Sequence, residues 1–315
     1  MKLLKIVLVV ALMLLVMPQA MALKYTIDGD LSDWGISDAE LEDGLDNNNI
    51  DAWKPASDSV VWVVENDVYA NPIFGGAPSK YLCNGGNCYD YGVHIRGKGS
   101  NYWMYVEPIV NGIIQPSPAD SILAENFDVE ALYMDEDDDY LYVAIVVSAP
   151  PTGYTGLGYP KGAAGDLALD FDGPGSGGYG YEYGIRLGSW DPNGTAIQFG
   201  VYKTDEKEDW YECTDIDPNS PGVINTSRAD YLFTLSYAAY EKRNIYEDVG
   251  SNHDVWVVEL AIPKSNLGLT GNILDKYVRV HIAEAGCGND AGDIPIPEFS
   301  LILVPVSIIL GYVLY

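Results

Sequence analysis

Carboxylates are the side chains with the most capacity for chemistry in this sequence. The 315-residue chain carries 46 Asp and Glu against 17 Lys and Arg, a formal charge of −29. Three of them crowd one short stretch, Asp28-Gly29-Asp30-Leu31-Ser32-Asp33-Trp34. Hard cations such as Ca²⁺ take about six to eight oxygen ligands, and closely spaced carboxylates on a loop supply them. A second run, Asp135-Glu136-Asp137-Asp138-Asp139, lies between two apolar segments and reads as a hairpin turn, where like charges repel unless solvent or a cation screens them. Asp28, Asp30 and Asp33, with Asp135, Asp137 and Asp139, are therefore candidate Ca²⁺ ligands, and solvated acidic turns are the competing reading. Asp166, Asp170 and Asp172 alternate in sequence, so Asp170 is expected to face inward and be paired, with a cation site there as a further option. Asp215-x-Asp217-x-Asn219 opens like an EF-hand loop but fails it, with Ser220 and Thr226 where Gly and Glu are required.

Other chemistries find little material. His94, His253 and His281 are far apart, and no Cys-x-x-Cys spacing supports zinc. There is no Gly-x-Ser-x-Gly elbow, no His-Glu-x-x-His and no phosphate-cradling Gly loop followed by Lys, so a non-catalytic protein is expected. Trp53, Trp103, Trp190 and Trp210 are candidate sugar-stacking platforms, with burial in a core as the alternative for each. Trp34 is expected to fold back as an apolar plug over one end of the fold. A chain this acidic repels nucleic acid and anionic lipid headgroups and attracts cations. Four cysteines allow three pairings. The flexible Asn84-Gly85-Gly86-Asn87 turn favours Cys83–Cys88, which leaves Cys213–Cys287. Asn193-Gly194-Thr195 and Asn225-Thr226-Ser227 are glycosylation acceptor sequences.

The elements that must position these residues are strands. Val60–Val64, Tyr102–Val106, Tyr140–Val147, Tyr181–Leu187, Ala196–Tyr202, Tyr231–Tyr237, Val255–Ile262 and Tyr277–Ile282 are rich in β-branched and aromatic residues, most of them bounded by Gly, Pro, Asn or Asp. Within Val255–Ile262, Glu259 points away from Trp256, Val258, Leu260 and Ile262, the pattern of a half-buried strand. No long window shows a 3.6-residue period. The fold class expected is all-β, a single antiparallel β-sandwich with loop insertions, jelly-roll or immunoglobulin-like in its layers.

Both ends read as addresses. Met1–Ala22 has a basic start, an apolar run and small residues at Ala20 and Ala22, a signal peptide that leaves Leu23 as the first mature residue. Ser300–Tyr315 is apolar and uncharged and follows Ile294-Pro295-Ile296-Pro297, read as a stiff segment unable to continue a strand. The expected divisions are therefore 1–22 leader, 23–293 extracellular sandwich with 54–118 as an insertion, and 294–315 a hydrophobic, helical anchor.

Four ordered pieces carry a resemblance: Asp28-Gly29-x-Leu31-x-Asp33-Trp34; Val129–Tyr133 with Asp138–Ile145; Gly165–Phe171 with Tyr181–Ile185; and Val258–Pro263 with Cys287–Asp290. Together they resemble the β-sandwich related to family 9 carbohydrate-binding modules and DOMON-like domains, as carried by exported archaeal surface proteins with a PEF-CTERM sorting tail. Pro297, Glu298 and Phe299 match that tail's motif, although the basic cluster that usually ends it is missing. The resemblance implies processing by an archaeosortase and membrane attachment. It also implies a structural or adhesive role among envelope or surface-layer components, or with further copies of itself. Glycan recognition is the alternative, and a b-type haem site, for which Met104 and Met134 are the mature chain's methionines, is the most distant.

Overall fold

The computed structural model describes residues 22–47, 50–66, 94–98, 103–105, 109–110, 113–114, 129–152, 164–173, 179–188, 198–212, 221–246, 254–275, 278–283 and 291–296. One α-helix, α1 (Asp38–Asn47), precedes β1 (Val61–Asn66), β2 (His94–Lys98), β3 (Trp103–Tyr105), β4 (Ile109–Val110), β5 (Ile113–Ile114) and β6 (Val129–Glu136). There follow β7 (Tyr140–Val147), β8 (Leu167–Asp170), β9 (Tyr183–Ile185), β10 (Gly200–Lys203), β11 (Trp210–Glu212) and β12 (Pro221–Ile224). The last are β13 (Asp230–Thr234), β14 (Tyr237–Tyr246), β15 (Asp254–Pro263), β16 (Val278–Ala283) and β17 (Ala291–Ile296). The described chain is all-β in class, and every pairing is antiparallel.

Two sheets dominate, a six-stranded one ordered β14-β15-β7-β6-β1-β2 and a seven-stranded one ordered β13-β10-β9-β8-β16-β17-β3. Alternate residues of both meet in one apolar cluster: Leu132, Val143, Ile145, Val258 and Leu260 from the first, Leu167, Leu169, Ile185, Val201 and Val280 from the second. The intervening residues of the six-stranded sheet are apolar as well. Tyr133, Tyr142, Val146 and Val257 pack against Tyr25, Leu31, Trp34, Ile36, Leu41 and Trp53 of the N-terminal segment. A smaller cluster joins Ala168, Tyr181 and Tyr202 of the seven-stranded sheet side to Trp210 and Ile224 of the β11-β12 ribbon. Both sheets thus carry a second cover.

Four sequence expectations change. Strand β15 is buried on both faces, not half-buried, because the N-terminal segment covers the face that Glu259 occupies. Trp34 lies over the outer face of the six-stranded sheet rather than at the end of a sandwich. Residues 54–118 are not an insertion outside the body, because β1 is hydrogen-bonded between β6 and β2 and β3 pairs with β17. The body also runs past 293, since β17 continues to Ile296 with Pro295 opposite Arg279.

Gly184 is a contact point of the second cover. A Cβ at this position would lie 2.7 Å from Ile224 Cδ1 and 2.8 Å from the Trp210 ring, so the ribbon sits directly on the β9 backbone. Gly184→Val should push the ribbon off and lower stability by about 1–3 kcal/mol, read as a fall in Tm, the range expected of overpacking. An unchanged Tm would mean that the ribbon is not seated on the sheet.

Candidate functional site

Glu259 organises the N-terminal motif. Its Oε1 accepts the Trp34 indole N–H at 2.8 Å, and its Oε2 accepts the backbone N–H of Gly29 at 2.7 Å and of Asp28 at 3.1 Å. Gly29 has φ +78, and a side chain there would meet Glu241 Cβ at 2.6 Å, so glycine is required on both counts. Trp34 stacks on Tyr25 with ring centroids 4.0 Å apart. Burial pushes the Glu259 carboxyl up to about 7, against the pull of its three donors.

The three aspartates of this motif are spent on the loop itself. Asp28 Oδ1 accepts the Asp30 N–H, Asp30 caps the turn at Ser32 N, and Asp33 accepts the Thr26 N–H at 2.5 Å. Arg243 reaches Asp30 at 3.1 Å, Asp38 at 2.6 Å and the Gly29 carbonyl at 2.8 Å. Against the cost of partial burial, Ser32 and Arg243 hold Asp30 below its ordinary range, while burial and Asp28 push Asp33 above it. The structure does not bring Asp28, Asp30 and Asp33 together as a ligand set; local amides and Arg243 occupy their oxygens.

The second acidic run is likewise built in. Asp135 is buried, paired with Lys24 at 2.5 Å and bonded by the Tyr25 and Ser59 hydroxyls. Asp137 accepts the N–H groups of Asp139 and Tyr140, both at 2.8 Å, and the Tyr142 hydroxyl at 2.5 Å. Glu136 accepts from Ile273 N and Leu274 N and pairs at 3.0 Å with Lys264, whose ammonium also donates to the carbonyls of Asp137 and Gly271. Asp135 and Asp137 are thus bonded within the hairpin and to its neighbours, and the structure does not bring the carboxylates of Asp135, Asp137 and Asp139 together.

Among the described residues, the carboxylates that converge are Asp170, Asp172 and Glu182, one oxygen from each lying within 4.8 Å of the others. Asp170 ends β8 and is buried, Asp172 is exposed in the following turn, and Glu182 precedes β9. Asp170 Oδ1 accepts the Asp172 and Gly173 N–H groups, and Glu182 Oε2 accepts the Phe171 N–H at 3.0 Å. Arg279 is the register partner of Asp170, with its guanidinium 4.8 Å from the Tyr181 ring centroid. The sequence pointed to Asp170 and Asp172; Glu182 joins them because the β8–β9 turn folds it back. Asp166 does not join. Its carboxylate binds Arg186 at 2.8 Å and the amides of Leu187 and Ile224, fastening β12 to the sheet. Burial raises the Asp166 carboxyl while Arg186 and those amides pull it down.

The aromatic candidates divide. Trp53 is fully buried with its indole N–H on the Glu40 and Leu41 carbonyls, and Trp210 is buried between the ribbon that carries it and β9, so neither ring faces solvent for a sugar to stack on. For Trp103 the strand is described and the side chain is not; Trp190 lies outside the described residues, as do Cys83, Cys88, Cys213, Cys287, Asn193, Pro297, Glu298 and Phe299. Asn225 is described: its Nδ2 donates to the Glu208 carbonyl at 3.2 Å, and its Oδ1 accepts the Ser227 hydroxyl at 2.6 Å. Met134 is buried in the cluster shared by the two sheets. No helix among the described residues is long and apolar enough to cross a membrane. A scan against protein-family models finds no match for this chain, and a search of curated proteins finds no relative.

Glu259 has a measurable consequence. The unfolded glutamate releases its proton near 4.5 and the folded one near 7, so the native chain binds more protons across that window. Its contribution is fully present below pH 4.5 and is lost as pH rises toward 7, by up to about 3 kcal/mol. Glu259→Gln should remove that part of the pH slope of Tm. It should also lower Tm by about 1–3 kcal/mol in stability terms at low pH, because an amide N–H₂ now faces an N–H donor. Equal slopes in the two proteins would show that Glu259 does not titrate in this range.

Proposed function

We propose that this chain is a non-catalytic protein of the archaeal cell surface, a single antiparallel β-sandwich that serves a structural or adhesive role in the envelope and is stabilised by cations. The sandwich reading is supported by the apolar cluster drawn from both sheets. The observation that carries the functional reading is the fate of the N-terminal motif. Residues whose spacing suggested a ligand loop form a clasp instead, one that begins where the leader is expected to end. Leu23 packs against the second cluster, Tyr25 is buried within it, and Ala22 is exposed. The ordered motifs of the resemblance, the apolar tail with Pro297-Glu298-Phe299 and the expected cysteine pairs add to it. Processing by an archaeosortase and membrane attachment through the C-terminal tail belong to the same proposal. Glycan recognition, the second reading, loses Trp53 and Trp210 as platforms.

Export can be checked on the native protein. N-terminal sequencing should begin at Leu23, alkylation should find no free thiol among the four cysteines, and protease added to intact cells should remove the chain. A cytosolic protein with four reactive thiols would overturn the assignment.

The cation belongs at Asp170, Asp172 and Glu182, where each of three carboxylates offers an oxygen of the kind Ca²⁺ takes. Ca²⁺ should raise Tm saturably, by the mass-action term expected of a ligand that binds only the native state. Asp172→Asn, an exposed change that leaves the core alone, should weaken that shift severalfold. A melt indifferent to Ca²⁺ and to chelator removes the site.

A further inference from the structure

The two sheets have four end strands, and three carry recognised protection against edge-to-edge pairing. β14 contains Glu241, Lys242 and Arg243 and has α1 packed along it, with Arg243 bonded to Asp38. β2 holds Arg96 and Lys98 within five residues, and β3 spans three of the described residues. Charge, cover and shortness are the devices that normally blunt an edge. Among the described residues β13 has no cover and no charge beyond Asp230 at its start, and its one irregularity is the register shift at Leu232. Among the described residues it pairs with β10 alone, and Tyr231 and Leu232 are 47% and 40% exposed. From Tyr231 to Tyr240 there is no charged residue, in a chain of which 20% is charged. Three of the four large apolar side chains exposed in the described structure, Tyr231, Leu232 and Tyr237, fall in this stretch.

We propose that β13 is a pairing edge, at which a second copy of this chain adds its own β13 antiparallel. A free row of backbone N–H and C=O groups selects an extended strand as its partner. Charge selects which strand. A cationic partner is drawn to the many carboxylates elsewhere on the surface, whereas another copy of so acidic a chain meets least repulsion where carboxylates are missing, which is here. Antiparallel pairing about Leu232 sets Asp230 opposite Thr234, so no like charges meet across the pair. The contact is isologous and closes as a twofold dimer. The register shift between Val201 and Tyr202 bulges Leu232 away from β10, placing that side chain at the centre of the new pair. Five residues bury less area than a stable interface needs, so the pair is weak in dilute solution and gains from confinement at a surface. Its role in the envelope rests on the proposed function; the pairing itself does not.

The test uses the full chain in mild detergent. Leu232→Cys should give a reductant-sensitive covalent dimer under oxidation, and Tyr211→Cys, exposed but off this edge, should not. By sedimentation, the wild-type chain should shift from monomer to dimer mass with rising concentration. Leu232→Lys should abolish that shift at unchanged Tm. A wild-type chain that stays monomeric, equal cross-linking at both cysteines, or a dimer that survives Leu232→Lys each overturns the pairing. So does a monomer retained on a polysaccharide column through Tyr231, which would assign the edge to sugar rings. None of these results bears on export, whose failure is read from the mature N-terminus and the thiols.

Discussion

A sheet that is apolar on both faces has to be covered twice, and that constraint shapes most of this molecule. In β6, β7 and β15 nearly every side chain is buried, so the face turned away from the seven-stranded sheet cannot meet water. The cover on that face is a segment with little regular structure, whose own backbone donors need partners. Glu259 supplies them. One carboxylate at the middle of β15 takes two amides of the Asp28-Gly29 turn and the indole N–H of the tryptophan that the turn delivers. The arrangement satisfies a buried acid and an irregular loop with the same three hydrogen bonds.

The scarce positive charges follow the same logic. Lys24 joins the start of the cover to Asp135, Arg243 joins its turn and helix to β14, Arg186 joins the ribbon to β8 through Asp166, and Lys264 joins the segment after β15 to the β6–β7 hairpin. Each lies at a seam between parts of the fold, and Arg186 and Lys264 are buried. Pairs of this kind are costly to desolvate and contribute less to net stability than to fixing one arrangement, because removing one partner strands the other charge out of water.

The sheet elements were largely legible in the sequence, and the second cover was not. Tyr140–Val147 is recovered residue for residue as β7, and Val255–Ile262 differs from β15 by one residue at each end. Tyr231–Tyr237 proves to be two strands, because Leu235-Ser236 carries the chain from one sheet to the other. Helix α1 escaped the periodicity reading because its ten residues include a glycine and few apolar positions. The Ser37-x-x-Glu40 spacing at its start was present to be read: Glu40 accepts both the Ser37 N–H and the Ser37 hydroxyl, one half of a capping box. Glu259 was visible as the lone charge in an apolar strand, but alternation assigns such a residue to solvent. Only the packing of a segment more than 200 residues away turns it inward, and local sequence carries no trace of that contact. The acidic motifs misled for a related reason. Asp and Asn are favoured in loops because they bond nearby amides, the same property that makes them ligands, so spacing alone does not separate the two uses.

What distinguishes them here is where the remaining oxygens can turn. In the Asp28–Asp33 turn and the Asp135–Asp139 hairpin, amides, hydroxyls, Lys24 and Arg243 hold the carboxylates, and an incoming ion would have to displace bonds that hold the covers in place. Asp170, Asp172 and Glu182 also accept backbone N–H groups, yet oxygens from all three still converge within 4.8 Å. Three carboxylates so close repel one another, and a bound cation relieves that repulsion. Arg279, in register with Asp170, brings one positive charge to the neighbourhood. That convergence of three carboxylates at one turn is the reason for placing a divalent cation here rather than at the more conspicuous aspartate runs.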